Sequence, residues 1–483
     1  MTPWVIAVVW VACGGGESTK DSAEVSPSPT TTTSSPTTPP TTPPTETGDP
    51  CVGPERCLDG VDDDCDGSLA CSLASADHRI GGTTPGDLLG SAVAGVGDVD
   101  GDGFGDMLLG AHGSDDFAGA VGLFLGPVGK RQGLAEADRL FVGNVDSSMG
   151  LAVSGAGDVD GDGLADLVLG APSEGDYEGS VTLVTATAET RVVGAPGDLL
   201  GKAMSPLGDI DGDGLADLLV AGQGMAEDAG AAVVMTGPSP SLESAVVIAG
   251  EAAGDLVGDK CSVGSVDANG DGVPDVVIGA RGHDGGGDGA GALFLVLGPP
   301  GSSTVATADA RWLGEAAGDE VGLCVTGAGD LDGDGYGDFV AGSKLHDAAR
   351  GAAYVVRGPG LGEHSLADAD ARLLGAAEGA TAGGCVASAG DVDGDGLADL
   401  LVGSSGYGEG GVAYLVSRPS GTRNLGDQDR PMVAVGEAVR GGNYLGASDV
   451  DGDGVPDLIV SAYHEADQAG AVYVVGGAAA RSR

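Results

Sequence analysis

The chain has 483 residues, 93 of them glycine, with 4% aromatic residues and a formal net charge of −52 from 73 acidic against 21 basic side chains. Such a charge repels nucleic acid and anionic lipid headgroups, which excludes both as partners. Glycine weakens helices and supplies the positive φ that turns require, so the composition suits many short strands.

Residues 4–12 form an apolar run of nine, far short of the roughly 20 a membrane-spanning helix needs. The run ends at Trp10-Val11-Ala12-Cys13-Gly14, which resembles the lipobox of bacterial lipoproteins, where the cysteine is freed by cleavage and acylated. The resemblance implies a signal peptide over residues 1–13 with lipidation at Cys13, hence a cell-surface or outer-membrane lipoprotein. An ordinary cleaved signal would instead leave the protein secreted, and either reading exports it. Residues 14–50 are dominated by Ser, Thr and Pro. They have little to bury, and are expected to form a disordered or semi-stiff linker.

Residues 51–71 carry Cys51, Cys57, Cys65 and Cys71. Four closely spaced cysteines in an exported chain read as two disulfides, with connectivity open. Between them Asp59-Gly60-Val61-Asp62-Asp63-Asp64-Cys65-Asp66-Gly67 resembles the Cys- and Asp-rich metal-binding motif of bacterial surface proteins. Asp62, Asp64 and Asp66 alternate as in a calcium loop, but Ala70 stands where a closing acid belongs. A disulfide staple with a solvated acidic loop and a metal site both remain open.

Over residues 78–477 the chain repeats, with a tail at 478–483. Aspartate clusters begin at 98, 158, 209, 267, 330, 391 and 449, intervals of 60, 51, 58, 63, 61 and 58. Seven units of about 60 residues mean a modular array. The first unit reads as four short apolar runs punctuated by glycine, beginning at Leu89, Met107, Gly119 and Arg139. Four strands per repeat make a propeller blade. The predicted fold is therefore all-β, a seven-bladed β-propeller. No outer strand remains after the last hairpin near Ala471, so the segment around Ile80 is expected to pair onto the last blade and close the ring.

Every unit contains Asp-x-Asp/Asn-Gly-Asp-Gly-x-x-Asp, spacing that delivers most of the six to eight oxygens Ca²⁺ takes. Positions 1, 3, 5 and 9 are Asp98, Asp100, Asp102 and Asp106; Asp158, Asp160, Asp162 and Asp166; Asp209, Asp211, Asp213 and Asp217; Asp267, Asn269, Asp271 and Asp275; Asp330, Asp332, Asp334 and Asp338; Asp391, Asp393, Asp395 and Asp399; and Asp449, Asp451, Asp453 and Asp457. Position 7 would ligate through its backbone carbonyl: Phe104, Leu164, Leu215, Val273, Tyr336, Leu397 and Val455. Its side chain is always aliphatic or aromatic and is expected to anchor in its own blade. An EF-hand needs an acid at position 12, where Leu109, Leu169, Val220, Ile278, Ala341, Val402 and Val460 stand instead, within strand-like runs. Four carboxylates crowded together repel unless a cation sits among them, so up to seven Ca²⁺ are expected.

Pairs such as Met149-Gly150 and Leu200-Gly201, with Gly170-Ala171-Pro172 and its variant Gly279-Ala280-Arg281, resemble the FG-GAP repeats of integrin α-subunit propellers and bacterial surface proteins. The resemblance implies a calcium-bearing propeller whose ligand face lies on the rim opposite the calcium loops. Integrin subunits carry such loops in only some blades, whereas here all seven do.

Cys261, Cys324 and Cys385 each stand six residues before their loop, where other units have Ala92, Ala152, Ala203 or Asn443; they read as small buried thiols. His112, His283, His346 and His464 fall in the second hairpins and read as ligand-facing residues or solvated loop tips. Gly197 to Lys202 faintly resembles a phosphate loop but is one residue short. No GxSxG or HExxH occurs. The function expected is a non-catalytic, calcium-stabilised surface binding or adhesion module, monomeric, with an extracellular protein or glycan ligand. The alternatives are a propeller enzyme acting on polysaccharide or lipid and a purely structural envelope protein.

Overall fold

Seven separate antiparallel sheets make up the computed structural model, which describes residues 70–129, 131–427, 429–434 and 440–477. Cys13, the linker 14–50, Cys51, Cys57, Cys65, the acidic loop between them and the tail lie outside the described residues. Blade 1 consists of Ala92–Gly97, Asp106–Ala111, Ala120–Phe124 and Arg139–Val142. The innermost strands of blades 2 to 7 are Ala152–Gly157, Leu200–Gly208, Val263–Val266, Cys324–Gly329, Ala382–Gly390 and Leu445–Ser448. The expected propeller is the one observed.

Ring closure also follows the sequence reading. His78–Gly81 is the outer strand of blade 7, antiparallel to Ala471–Val475, with Ile80 opposite Val472. Ile80 is fully buried. One strand from the beginning of the propeller thus completes a sheet built from its end, and no open edge is left at that seam.

The repeated glycines have a physical cause at the blade junctions. A Cβ on second-strand Gly110 would stand 2.0 Å from the carbonyl oxygen of Gly150 in the next blade. The same clash recurs at Gly170 against Gly201 (2.2 Å), Gly279 against Gly322 (2.1 Å), Gly342 against Gly383 (2.0 Å) and Gly403 against Gly442 (1.8 Å). Backbones of neighbouring blades therefore touch, and only glycine fits. Where blade 7 meets blade 1 the position is Ser461, whose hydroxyl donates to the Gly90 carbonyl at 2.6 Å.

That convergence corrects the reading of the inner cysteines. Cys261 and Cys324, at one register on adjacent inner strands, have Cα atoms 4.4 Å apart and form a disulfide, a separation within the range such bonds require. Cys385 is also buried, and its sulfur lies within 4.8 Å of the other two. Cys71 is disulfide-bonded as well, and its partner is outside the described residues.

The sequence reading missed a second repeat. Leu73-Ala74-Ser75-Ala76-Asp77, Leu134-Ala135-Glu136-Ala137-Asp138, Val305-Ala306-Thr307-Ala308-Asp309 and Leu366-Ala367-Asp368-Ala369-Asp370 each form a single 3₁₀ turn just before an outer strand. The aspartate accepts from the amide that ends its blade's third strand, as Asp138 does from Leu125 and Asp370 from Arg357, both at 2.9 Å. The residues preceding the turn form a strap parallel to the outer strand of the blade before. Straps Cys71–Ser72, Arg131–Gln132, Ser303–Thr304, Gly362–Ser365 and Gly421–Asn424 cover blades 6, 7, 3, 4 and 5 respectively. Among the described residues, blades 1 and 2 have four strands and no strap.

Candidate functional site: seven acidic loops on one rim

Each acidic loop joins the first and second strands of its blade, so antiparallel order gathers all seven on one rim. Each is closed by the same three hydrogen bonds. The position 6 glycine amide donates to the position 1 carboxylate, from Gly103 to Asp98 Oδ2 at 2.9 Å and equivalently through Gly163, Gly214, Gly272, Gly335, Gly396 and Gly454. The position 2 amide donates to position 9, as Val99 does to Asp106 Oδ2 at 2.8 Å, and this too holds in every blade. The position 7 amide donates to position 5, as Phe104 does to Asp102 Oδ1 at 3.0 Å. Glycine at position 6 is required because φ there is positive, 92° at Gly103.

This network aims carboxylates at a common point. Oxygens of Asp98, Asp100 and Asp106 lie within 4.8 Å of one another, as do those of Asp158, Asp160 and Asp166, of Asp209, Asp211 and Asp217, and of Asp330, Asp332 and Asp338. Position 5 is absent from these groups, its carboxylate being tied to its own turn. In the sixth blade Arg418 Nε donates to position 5, Asp395, at 2.5 Å, and in the fifth Arg357 reaches position 3, Asp332, at 3.1 Å. The position 9 aspartates are buried. Desolvation, reinforced by neighbouring loop carboxylates, raises Asp106 and Asp166 to about 6 and Asp338 and Asp457 to about 7. Buried oxygens Asp166 Oδ1 and Asp449 Oδ1 accept no hydrogen bond. Three converging carboxylates, some with an unsatisfied buried oxygen, are the donor set of a hard divalent cation, and the residues present fit one.

Successive loops are linked. The position 8 amide of one blade donates to the position 1 carbonyl of the blade before: Ala165 to Asp98 (3.1 Å), Ala216 to Asp158 (2.8 Å), Gly337 to Asp267 (2.8 Å), Ala398 to Asp330 (3.0 Å) and, across the closing seam, Gly105 to Asp449 (2.6 Å). At the other two junctions position 8 is Pro274 or Pro456, which has no amide proton to give. Val273 and Val455 pack against Gly298 and Gly477 of their own blades, as expected, but the other five position 7 side chains do not. At the same five junctions they lie across the neighbouring loop, where a Cβ at Gly101, Gly161, Gly270, Gly333 or Gly452 would come within 2.8 to 3.3 Å of Leu164, Leu215, Tyr336, Leu397 or Phe104. Tyr336 is 37% exposed.

The opposite rim is formed by the second hairpins, whose histidines are not solvated tips. His112 and His283 are buried. His283 Nδ1 accepts from the Gly285 amide at 3.0 Å. His346 Nδ1 lies 3.0 Å from Asp319 Oδ2 and 3.2 Å from the Tyr354 hydroxyl. The exposed groups there include acids at the turns, Asp115 and Asp347 among them, and the aromatic Phe117 and Tyr177. Lys202, the end of the phosphate-loop-like string, sits 3.5 Å from fully buried Asp259, which also binds Arg281. It is therefore part of an ion pair joining blades 3 and 4, and burial lowers its pKa to about 8.

With the geometry in place, the comparisons with known proteins fall on the repeats. The FG-GAP repeat model matches residues 149–184 and 442–475, and an FG-GAP-like repeat model matches residues 330–402. Integrin alpha-PS2 of Drosophila melanogaster is 28% identical over 290 residues, 57% of this chain and 16% of that protein. Human integrin alpha-IIb is 35% identical over 149 residues, 28% of this chain and 14% of that protein. Xenopus laevis integrin alpha-4 is 29% identical over 156 residues, 29% of this chain and 15% of that protein. The chain thus spans less than a fifth of the length of these relatives. Among the described residues no helix is long and apolar enough to cross a membrane.

Two measurements check this site. Asp100→Ala and Asp160→Ala, in loops joined through the Ala165 amide, should be non-additive in unfolding free energy by about 0.5 kcal/mol or more. Asp211→Ala and Asn269→Ala, which flank the Pro274 junction, should add to within about 0.3 kcal/mol; equal behaviour of the two pairs rejects the linkage. Separately, burial, with His464 nearby, pushes His112 down to about 4 from 6.5. Between those values the unfolded chain binds a proton that the folded chain refuses. Stability held above pH 6.5 is therefore lost as pH falls toward 4, in total about 3 kcal/mol. Urea unfolding of wild type and His112→Phe should show the larger acid loss in the wild type, and identical losses would clear His112.

Proposed function

Because the chain is an integrin-α-type β-propeller of FG-GAP repeats, we propose that it is a calcium-stiffened, non-catalytic binding module. It is exported, held at the cell surface through Cys13, and presents the hairpins opposite its acidic rim to an extracellular protein or glycan. The observation that carries this reading is the sevenfold recurrence of one loop geometry with its carboxylates converging. A solvated acidic surface has no reason to repeat the same three hydrogen bonds in every blade. Ca²⁺ would supply the positive charge that such crowded carboxylates need. Positions 1, 3 and 9 would hold it first, with position 5 and the position 7 carbonyl completing the shell. The chain's own part is to fix those oxygens through backbone amides, so that little reorganisation accompanies binding.

Rigidity on one rim serves recognition on the other. The strands that carry the acidic loops run directly into the opposite hairpins, so a stiff loop fixes the position of each tip. Five of those tips share one four-residue turn, and those of blades 4 and 6 differ in length. Their side chains nonetheless vary from blade to blade while the ligand positions of the loops hardly do, the division expected when one face is scaffold and the other contact surface.

Two readouts test the proposal together. Chelation should lower the melting temperature by about 10 °C or more, and excess Ca²⁺ should restore it. Asp160→Ala should destabilise the protein. Asp115→Ala and Asp347→Ala should weaken capture of ligands from an array of extracellular proteins and glycans, while shifting stability by no more than about 0.5 kcal/mol. Equal melting with and without chelator removes the calcium role. Normal capture by the two tip variants, with capture lost in a folded acidic-rim variant, assigns the contact face to the other side.

A further inference from the structure

Five blades wear a strap on their outer edge and two adjacent blades do not, and the difference has local causes. The strap for blade 1 would come from the connection before blade 2's outer strand Glu189–Val193. That connection is a tight turn in which the Thr185 amide donates to the Ala188 carbonyl at 2.9 Å, too short to reach. The strap for blade 2 would come from residues 238–241, where Pro238 and Pro240 stand and cannot donate to a ladder. Among the described residues, edge strand Arg139–Val142 is thus left unpaired on its outer side.

The surface around it is built to be covered. Leu140 is 48% and Val142 55% exposed, and with Val193 of blade 2 they are the large apolar residues exposed on outer strands among the described residues. Between Leu140 and Val142 on one side and Thr182 on the other lies an open groove of about 420 Å³. Thr182 is the middle residue of its blade's third strand, the register of Gly122, Phe294 and Tyr354. At that register the straps insert their hook. Leu134 lies 3.0 Å from where a Gly122 Cβ would stand, Val305 packs in one cluster with Phe294, and Leu366 packs in one with Tyr354. The groove is therefore the socket of the strap that blade 1 lacks.

We infer that the outer edge of blade 1 is a docking site for an extended segment of a protein partner. That segment adds as a parallel strand along Arg139–Val142 and places a Leu- or Val-Ala hook in the groove beside Thr182. Its chemistry follows from the edge. In blade 4 the strap-facing residue is Arg311, which pairs with Glu363 of its strap at 2.8 Å, and blade 5 has Arg372 and blade 7 Arg79 at that register. Blade 1 has Leu140 there, with Val142 two residues on along the same face. The partner's strand is accordingly apolar where the strap of blade 4 carries Glu363, which keeps that strap from misdocking. This surface is on the flank of the propeller and is independent of the hairpin rim.

The test uses the full chain and a synthetic peptide of residues 360–371, the longest strap with its hook, in two forms: unaltered, and with Glu363→Val. The Val form should bind about tenfold more tightly, and should slow amide hydrogen exchange at Arg139–Val142 and nowhere else along the outer strands. Leu140→Arg, a change at an exposed side chain, should reverse the preference toward the unaltered peptide. The inference is overturned if saturating peptide leaves exchange at Arg139–Val142 unchanged, if protection appears only on blades 4 and 5 through exchange with the resident straps, or if residue 140 does not alter the preference. A concentration-dependent dimer protecting the same strand without peptide would assign the edge to a second copy and likewise overturn it.

Discussion

At five of the seven junctions the backbone of one blade touches the next through a second-strand glycine and the carbonyl of the glycine after the next blade's outer loop. A methyl group at Gly110 would have to occupy a position 2.0 Å from the Gly150 oxygen. That contact sets how far the inner strands converge, and the convergence positions much else. It brings Cys261 and Cys324 to bonding distance, and it lets an amide at one loop reach the carbonyl of its neighbour. The two glycine-containing halves of the repeat are conspicuous in the sequence because they are two sides of one close approach, made between different copies of the repeat.

The acidic rim is then a linked array and not seven independent loops. An unliganded loop holds up to four acidic side chains whose repulsion is relieved by hydrogen bonds from its own turn amides and, in blades 5 and 6, by Arg357 and Arg418. A change in one loop's backbone is transmitted through the position 8 amide to the carbonyl of the loop before it, which belongs to the residue providing the first carboxylate. Pro274 and Pro456 interrupt this chain of contacts and divide the rim into an arc of blades 4, 5 and 6 and an arc of blades 7, 1, 2 and 3. The Cys261–Cys324 disulfide lies within the first arc. The second arc contains the seam at which the ring is closed.

What was legible in the sequence was whatever one repeat states by itself. Alternation of Asp and Gly at fixed offsets specifies a loop irrespective of its surroundings, so all seven loops and the blade count could be read directly, and the missing outer strand near Ala471 called for Ile80. What was not legible depends on two repeats meeting. The position 7 side chain looks like a core anchor within its own blade and at five junctions proves to cover the preceding blade's loop. A cysteine six residues before a loop looks like a small buried thiol until the neighbouring inner strand places another beside it. His112 and His283 stand among acids in the sequence, yet the hairpin folds them inward. The straps are an intermediate case: the Leu-Ala-x-Ala-Asp string recurs visibly, but its value lies in parallel pairing with a different blade, which no periodicity within the unit discloses.

The closing strand and the first strap also decide where a pull on the protein would be felt. Cys71–Ser72 lies along the outer strand of blade 6, and six residues later His78–Gly81 lies along blade 7, so the chain leading in from the N-terminal side laces the one junction where Pro456 leaves the acidic rim unlinked. Tension drawn along that segment runs parallel to the strands it pairs with. Their hydrogen bonds are then loaded side by side in shear instead of being peeled one after another, and the lacing crosses a junction that the rim leaves unlinked. A particle held by this end resists being torn open between blades 6 and 7.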